Sequence, residues 1–414
     1  MTLTYRRDGS SVFSPENRWG NFPSAALAWK MKEETFLKDS KVFSDLKLRL
    51  GWGVTGQQDM GDANFLYLEP YSIGNNNSQY VFGTTPTSLA VPTFRNVNIK
   101  WEETTTANIG IDFGFFNNRL TGSVEAFSKV SKNLLSYAAI SDGSNFSNAG
   151  FQNIGSLSSK GVEVTLNAAI VKSTNFNWNV NFNATKFERR IDELALNSDI
   201  LTGGIGGGTG GTIQIHSQGY TPNSFYVFKQ LYDVNGRPIQ GAYADINGDG
   251  IVNNSDRYIK YNGDPNMTFG FASNFNYKNL DFSFNMRASL GNHIYNNINS
   301  VSAYYSLVQN NTVLGNVPTS VLDTNFIQPG SLGTQSDIYI ENASFLRMDN
   351  ITFGYTFNKP IKKFASNSIR IWAGMQNVFT ITNYSGLDPE LFNGIDNTNF
   401  PRPRTFLVGA NIKF

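Results

Sequence analysis

Phe406, Val408, Ala410, Ile412 and Phe414 occupy every second position up to the final residue, with Leu407, Gly409, Asn411 and Lys413 between them. A period of two puts the first set on one face of a β-strand. A strand with one wholly apolar face that stops on an aromatic suits a membrane β-barrel, where that face meets lipid and the ring sits at the water boundary. The last strand of a soluble sandwich can carry the same pattern, so the rest of the chain has to decide.

The alternation recurs. Leu46, Leu48, Leu50, Trp52 and Val54 alternate with polar residues and glycines, as do Ile109 to Phe115 and Leu120 to Ala126. Val162 to Ile170, Phe176 to Ala184 and Met267 to Asn276 repeat it, the second with asparagines from Asn177 to Asn183. Leu280, Phe282, Phe284, Met286, Ala288 and Leu290 enclose Asp281, Ser283, Asn285, Arg287 and Ser289. Ile351 to Phe357 and Ile369 to Met375 follow. Many runs reach the ~9–11 residues that a tilted strand needs to cross a bilayer, against about 5–6 in an average soluble strand.

The connections alternate in length. Residues 117–119, 172–175 and 278–279 are short and 358–367 modest; 57–100, 136–150, 188–265, 291–341 and 380–403 are long. Strand order therefore predicts about twelve crossings, with long loops on one side and short turns on the other. This is the asymmetry of outer-membrane barrels, and it predicts a periplasmic C-terminus. Residues 31–44 read as a short helical or irregular turn, and a further strand pair is conceivable near Phe225 to Leu231.

Composition agrees. The 414 residues are 16% charged with a net charge of +1, so no strong field favours nucleic acid. No stretch approaches the ~18 apolar residues of a membrane helix. There is no cysteine, which removes disulfides and thiolate metal sites. The N-terminal residues lack the charged, apolar and cleavage regions of a signal peptide.

The sharpest chemical motif is Asp245-Ile-Asn-Gly-Asp-Gly-Ile-Val-Asn-Asn-Ser-Asp256. Asp245, Asn247 and Asp249 take positions 1, 3 and 5 of a calcium loop, Gly250 the sharp turn, Ile251 a backbone-carbonyl position, Asn253 position 9 and Asp256 position 12. Oxygen donors of this kind suit a structural Ca²⁺ that stiffens a long outer loop. The position-12 Asp in place of Glu resembles dockerin loops. An Asn/Asp/Gly turn without metal has the same composition. Thr202 to Thr212 reads as a loop tip, since no Gly-Lys-Ser/Thr follows to make a phosphate loop. His216 and His293 stand outside any ligand-spaced cluster, and no nucleophile elbow or zinc helix occurs, so the chain reads as a non-enzyme with no organic cofactor. Tyr67, Tyr71, Tyr80, Tyr304 and Tyr305 are candidates for stacking on sugars or peptides, although isolated surface or interface aromatics are commoner.

Several segments together resemble the SusC-like (RagA-like) TonB-linked outer-membrane transporters. They are Arg6-Arg7-Asp8-Gly9-Ser10-Ser11-Val12-Phe13 with Asn17 to Ser24, Leu46 to Gln57, Trp101-Glu102, Asn153 to Glu163 and the Asp245–Asp256 loop. Phe345-Leu346-Arg347, Asn350 to Tyr355, Gln376 to Phe379, Tyr384 to Glu390 and Pro401 to Phe406 complete the set. The resemblance implies an all-β, antiparallel transmembrane barrel, residues 1–414 being the C-terminal portion of a barrel of about 22 strands. It implies import of oligosaccharides or peptides across the Gram-negative outer membrane, with a SusD-like surface lipoprotein as lid and energy from TonB–ExbB–ExbD. No TonB box or plug is recognised, so the chain is expected to be a partial barrel. Two other readings remain at this point: a non-transporting surface barrel that binds glycans or acts as an adhesin, and a soluble secreted β-protein with a dockerin-like calcium loop.

Overall fold

The computed structural model describes residues 1–59, 61, 64–68, 71–74, 79–141, 143–194, 198–205, 211–310, 313–328, 330, 332–358, 368–398 and 400–413. Phe414, part of Thr202 to Thr212 and residues 359–367 lie outside these residues.

Twelve strands form one antiparallel sheet in which each pairs with the next in chain order. They are β1 (Thr2–Gly9), β2 (Trp19–Lys30), β3 (Phe43–Gln57), β4 (Glu102–Phe115), β5 (Leu120–Lys132) and β6 (Ser156–Lys172). The sheet continues through β7 (Phe176–Glu193), β8 (Met267–Tyr277), β9 (Leu280–Leu290), β10 (Phe345–Asn358), β11 (Ser368–Thr382) and β12 (Thr405–Lys413). The number matches the sequence periodicity.

Register keeps like faces together. One row crosses six strands as Trp178, Phe275, Phe282, Phe353, Ala373 and Val408. The adjacent row, on the other face, reads Asn179, Asn274, Ser283, Thr352, Gly374 and Leu407. A slip of one residue in any pair would exchange the faces, so the rows fix the register. Along the apolar row Trp178 stacks on Phe275, ring centres 5.3 Å apart, and Phe275 meets Phe282 at 5.7 Å.

Among the described residues no second sheet covers this apolar face. Phe353 is 51% and Val408 81% exposed. A soluble protein rarely leaves so large a patch open to water, whereas lipid is its natural neighbour. The polar face carries ion pairs instead: Arg49 with Asp112 and Glu125, Lys47 with Asp112, and Arg370 with Asp281.

The buried core lies in the connections. Phe13, Phe22, Ile99 and Trp101 pack together with Leu66, Leu135 and Phe151, which joins connections 10–18, 58–101 and 133–155. Ile205, Ile213, Phe225, Val227, Tyr295, Tyr339 and Ile395 form a second cluster from 194–266, 291–344 and 383–404. By strand order all six connections lie at the same end of the strands, and three of them pack together in each cluster. The opposite side has tight turns, at Phe116 to Arg119 with Asn117 and Asn118 at φ +56° and +61°, at 173–175 and at Lys278-Asn279. Residues 31–42 are longer but compact: Met31–Glu33 makes one 3-10 turn, and the Lys32 ammonium donates to the carbonyls of Leu37, Lys38 and Ser40.

Phe225 to Leu231 does not add a crossing. Ser224–Phe228 pairs with Thr212–His216 and Arg257–Asn262 in a four-stranded sheet within the 194–266 connection. The Ser-Phe-Tyr-Val-Phe run is buried along nearly its whole length, so it shows no alternation of inner and outer residues.

Candidate functional site

Where the polar face meets the connections, three arginines and three carboxylates interlock. Arg287 on β9 donates to Asp349 at 2.8 Å and to Glu390. Arg347 on β10 donates to Glu390 at 2.8 Å and Asp388 at 2.6 Å. Arg402 closes the network on Asp388 at 2.8 Å. Arg347 is the buried member, with its side chain 3% exposed, and its guanidinium lies 5.2 Å from the Phe345 ring centre. Formal charge balances within the cluster, which lets it be buried without a net ion.

A β-bulge builds this site. Opposite Asn285 and Met286, β10 pairs through Asn350 and Met348, which leaves Asp349 unmatched. The extra residue turns its carboxylate toward Arg287. Bulges re-aim side chains in this way. On β11, Asn377 adopts φ +51° and its amide donates to the carbonyls of Arg402 and Pro403, tying down the segment that carries Arg402.

Beside the network lies a cavity of about 760 Å³, lined by Asn183, Arg287, Asn292, Phe345, Glu390 and Phe392 among others. From Asn183 the asparagine row continues along β7 through Asn181 and Asn179 to Asn177, away from the connections. This row is uncharged and consists of amides, which donate and accept hydrogen bonds alike.

The Asp245–Asp256 loop lies in the same set of connections. Asp245 accepts backbone N–H bonds from Gly248 at 2.7 Å and Gly250 at 2.8 Å, with both glycines at positive φ. Asn247 accepts from the Asp249 N–H, and Asp249 from the Ile251 N–H. The Asn253 side-chain oxygen accepts from Ser255 N–H. Asp256 is fully buried and accepts backbone N–H bonds from Ile246, Asn247 and Asn253. These bonds, that from Asn253 foremost, hold its carboxyl below the usual carboxylate range. The donor set is all oxygen and suits a hard cation in kind. Among the described residues, though, no three His, Cys, Asp or Glu side chains are gathered as a metal cluster.

The other residues singled out in the sequence fall as follows. His216 ends the strand Thr212–His216; His293 stacks on Tyr261, ring centres 3.9 Å apart, and burial lowers its pKa. Tyr304 is buried and bonded to Ser300, so it belongs to the core and is no stacking surface. Tyr71, Tyr80 and Tyr305 are exposed, and Tyr67 donates to the Ser11 carbonyl.

Residues 1–212 match the family described as TonB dependent receptor-like, beta-barrel. The chain belongs to that family. Along its whole length it is 43% identical to the "TonB-dependent receptor SusC" of Bacteroides thetaiotaomicron, of which it covers 42%. It is 30% identical to the "TonB-dependent receptor P3" of Formosa agariphila, covering 44% of that protein. The chain thus spans less than half the length of the curated relatives it matches. Among solved structures, it superposes in full on 45% of a chain of the "RagAB peptide transporter", with a TM-score of 0.82 at 22% identity. That likeness concerns the fold. The chain is therefore a SusC-like TonB-dependent receptor barrel portion, and its apolar and polar rows are the two faces of an outer-membrane barrel wall. Its relatives are receptors by name.

Proposed function

We propose that the chain is the wall and outer-loop portion of an energised importer of large nutrients, oligosaccharides or peptides. In this reading the long connections are extracellular and shape the substrate cavity, and the C-terminus is periplasmic. A SusD-like lipoprotein covers the loops, and TonB–ExbB–ExbD supplies energy through parts of the receptor outside this chain. The observation that carries the proposal is the 43% identity to "TonB-dependent receptor SusC" along the full chain. The amide-lined polar wall below the loop-side cavity supports it. The test is uptake of fluorescently labelled oligosaccharides and peptides by cells bearing the complete receptor, with and without a protonophore. Accumulation that stops when the proton gradient is collapsed is expected. Uptake indifferent to the gradient, or none of either cargo, would reject energised import.

Within the same proposal, Asp245, Asn247, Asp249, the Ile251 carbonyl, Asn253 and Asp256 hold a structural Ca²⁺. The cation would draw the exposed side chains together around a loop that backbone bonds already bend. Chelation should then speed proteolytic cleavage within residues 245–256 several-fold. Identical cleavage with Ca²⁺ and with chelator would remove the metal and leave a plain Asx-rich turn.

A further inference from the structure

Arg257 opens the strand Arg257–Asn262 of the four-stranded loop-side sheet, opposite Phe228. Its side chain reaches across the neighbouring strand over the Tyr226 ring, with the guanidinium carbon 4.5 Å from the ring centre. Nη1 donates to the Thr212 carbonyl at 2.9 Å. The residue is 9% exposed, and its Nε–H is shut off from solvent and has no acceptor. Among the described residues no carboxylate pairs with it. Arg347, similarly buried, meets both Asp388 and Glu390.

The neighbouring carboxylates are committed elsewhere. Asp256 turns back into its own loop, where it accepts the N–H groups of Ile246, Asn247 and Asn253. Asp337 follows Ser336, whose backbone bridges to Phe228. It is held by the Tyr258 hydroxyl at 2.7 Å, the Lys260 ammonium at 2.9 Å and the Gln230 N–H at 2.9 Å. A second unpaired polar atom lies at the same end of the sheet. Gln335 approaches Gly211, the residue before Thr212, so closely that a Cβ there would stand 3.3 Å from its amide nitrogen. The buried amide oxygen of Gln335 has no donor.

Buried polar groups are nearly always bonded, and one without a partner points to a water or an ion. Water would accept from Arg257 but leave its charge unbalanced, and a buried charge is costly unless paired. The complementary group is therefore an anion. One unit of negative charge balances the guanidinium, whereas a divalent phosphate or sulfate would bury an excess of the opposite sign. The Nε–H lies out of reach of solvent, so the ion is small. An amide turned by half a rotation presents N–H groups where its oxygen stands, which lets Gln335 face the ion as well. We propose that Arg257, with Gln335 beside it, binds a single halide ion, chloride being the abundant one. The ion ties connection 194–266 to connection 291–344. This proposal stands apart from the import reading.

The test is hydrogen–deuterium exchange of the complete, detergent-solubilised receptor in sodium chloride and in sodium gluconate at equal ionic strength. Chloride should slow exchange within Thr212–His216 and Arg257–Asn262 in a saturable way and leave β9 in the membrane wall unchanged. Arg257→Met should abolish that dependence. Gln335→Leu should raise the half-saturating chloride concentration about tenfold, the worth of one hydrogen bond to a charged group. Crystals of the unaltered receptor soaked in bromide should show an anomalous peak beside the Arg257 guanidinium, a result that needs no variant to fold. No bromide there, or exchange indifferent to chloride in the unaltered protein, would overturn the proposal. A bromide peak without any chloride dependence would mean an adventitious ion only. An equal chloride response in Arg257→Met would put the effect elsewhere and overturn it too. Protection by formate and none by chloride would make this a carboxylate site and sink the halide.

Discussion

Replacing Phe284 by Arg should destabilise the membrane-embedded protein by about 2–4 kcal/mol, the cost of a lipid-facing arginine near the bilayer midplane. Phe284 lies near the middle of β9 and its ring meets those of Phe271 at 5.9 Å and Phe282 at 5.8 Å. Part of any loss would come from those contacts, so Phe284→Leu serves as the apolar control and should cost much less. Asn285 is the next residue, on the other face, where its amide donates to the Asn350 side-chain oxygen at 3.2 Å. Asn285→Arg puts the same charge at the same depth into a polar interior and should be mild. The measurement is the guanidinium midpoint of the vesicle-inserted protein for all three variants. Equal losses for Arg at 284 and at 285 would mean that the two faces see the same medium, and the assignment of the apolar row to lipid would fail.

The sheet was legible because its signal is local and repeated. A strand such as β9 declares its two faces in eleven residues, and the alternation of short and long connections orders twelve of them. The loop-side body was not legible. Ser224–Phe228, His293–Asn296 and Ile395–Asp396 are short, and their partners are distant in sequence. Buried on both sides, they lose the period that marks a half-exposed strand. Tyr304 is another case: a tyrosine in a long polar connection reads as surface, yet Tyr339 and Phe326 close over it.

The charged site was half legible. Arg287 falls in the polar set of its strand, and Arg347, Asp388, Glu390 and Arg402 lie in segments that resemble the transporter family. Nothing in their spacing says that they meet. Asp349 breaks the alternation, because the bulge that aims it at Arg287 shifts the face by one residue. A single break of period beside an arginine on a neighbouring strand is the one sequence signal of it, and the periodicity reading passed over it. The calcium-type loop shows the converse: its spacing was plain, while the structure satisfies its oxygens first with backbone N–H groups.

Arg347→Met should cost about 3–5 kcal/mol, the usual penalty for removing one partner of a buried ion pair. Arg347 is the only one of the network's three arginines that is almost wholly buried. Its loss leaves two arginines facing Asp349, Asp388 and Glu390, an uncompensated charge at a site where Asp388 is itself only 11% exposed. Methionine keeps the packing against Phe345, so the lost charge rather than a void dominates. Asp388→Asn alone leaves the opposite excess. The double variant Arg347→Met/Asp388→Asn restores neutrality and should recover roughly 0.5–3 kcal/mol relative to the sum of the single changes, the range expected for residues in one ion-pair network. A complete cycle of denaturant midpoints measures that coupling. Strict additivity would show that the two groups do not stabilise one another, and the network would be reduced to three arginines that happen to lie near three acids.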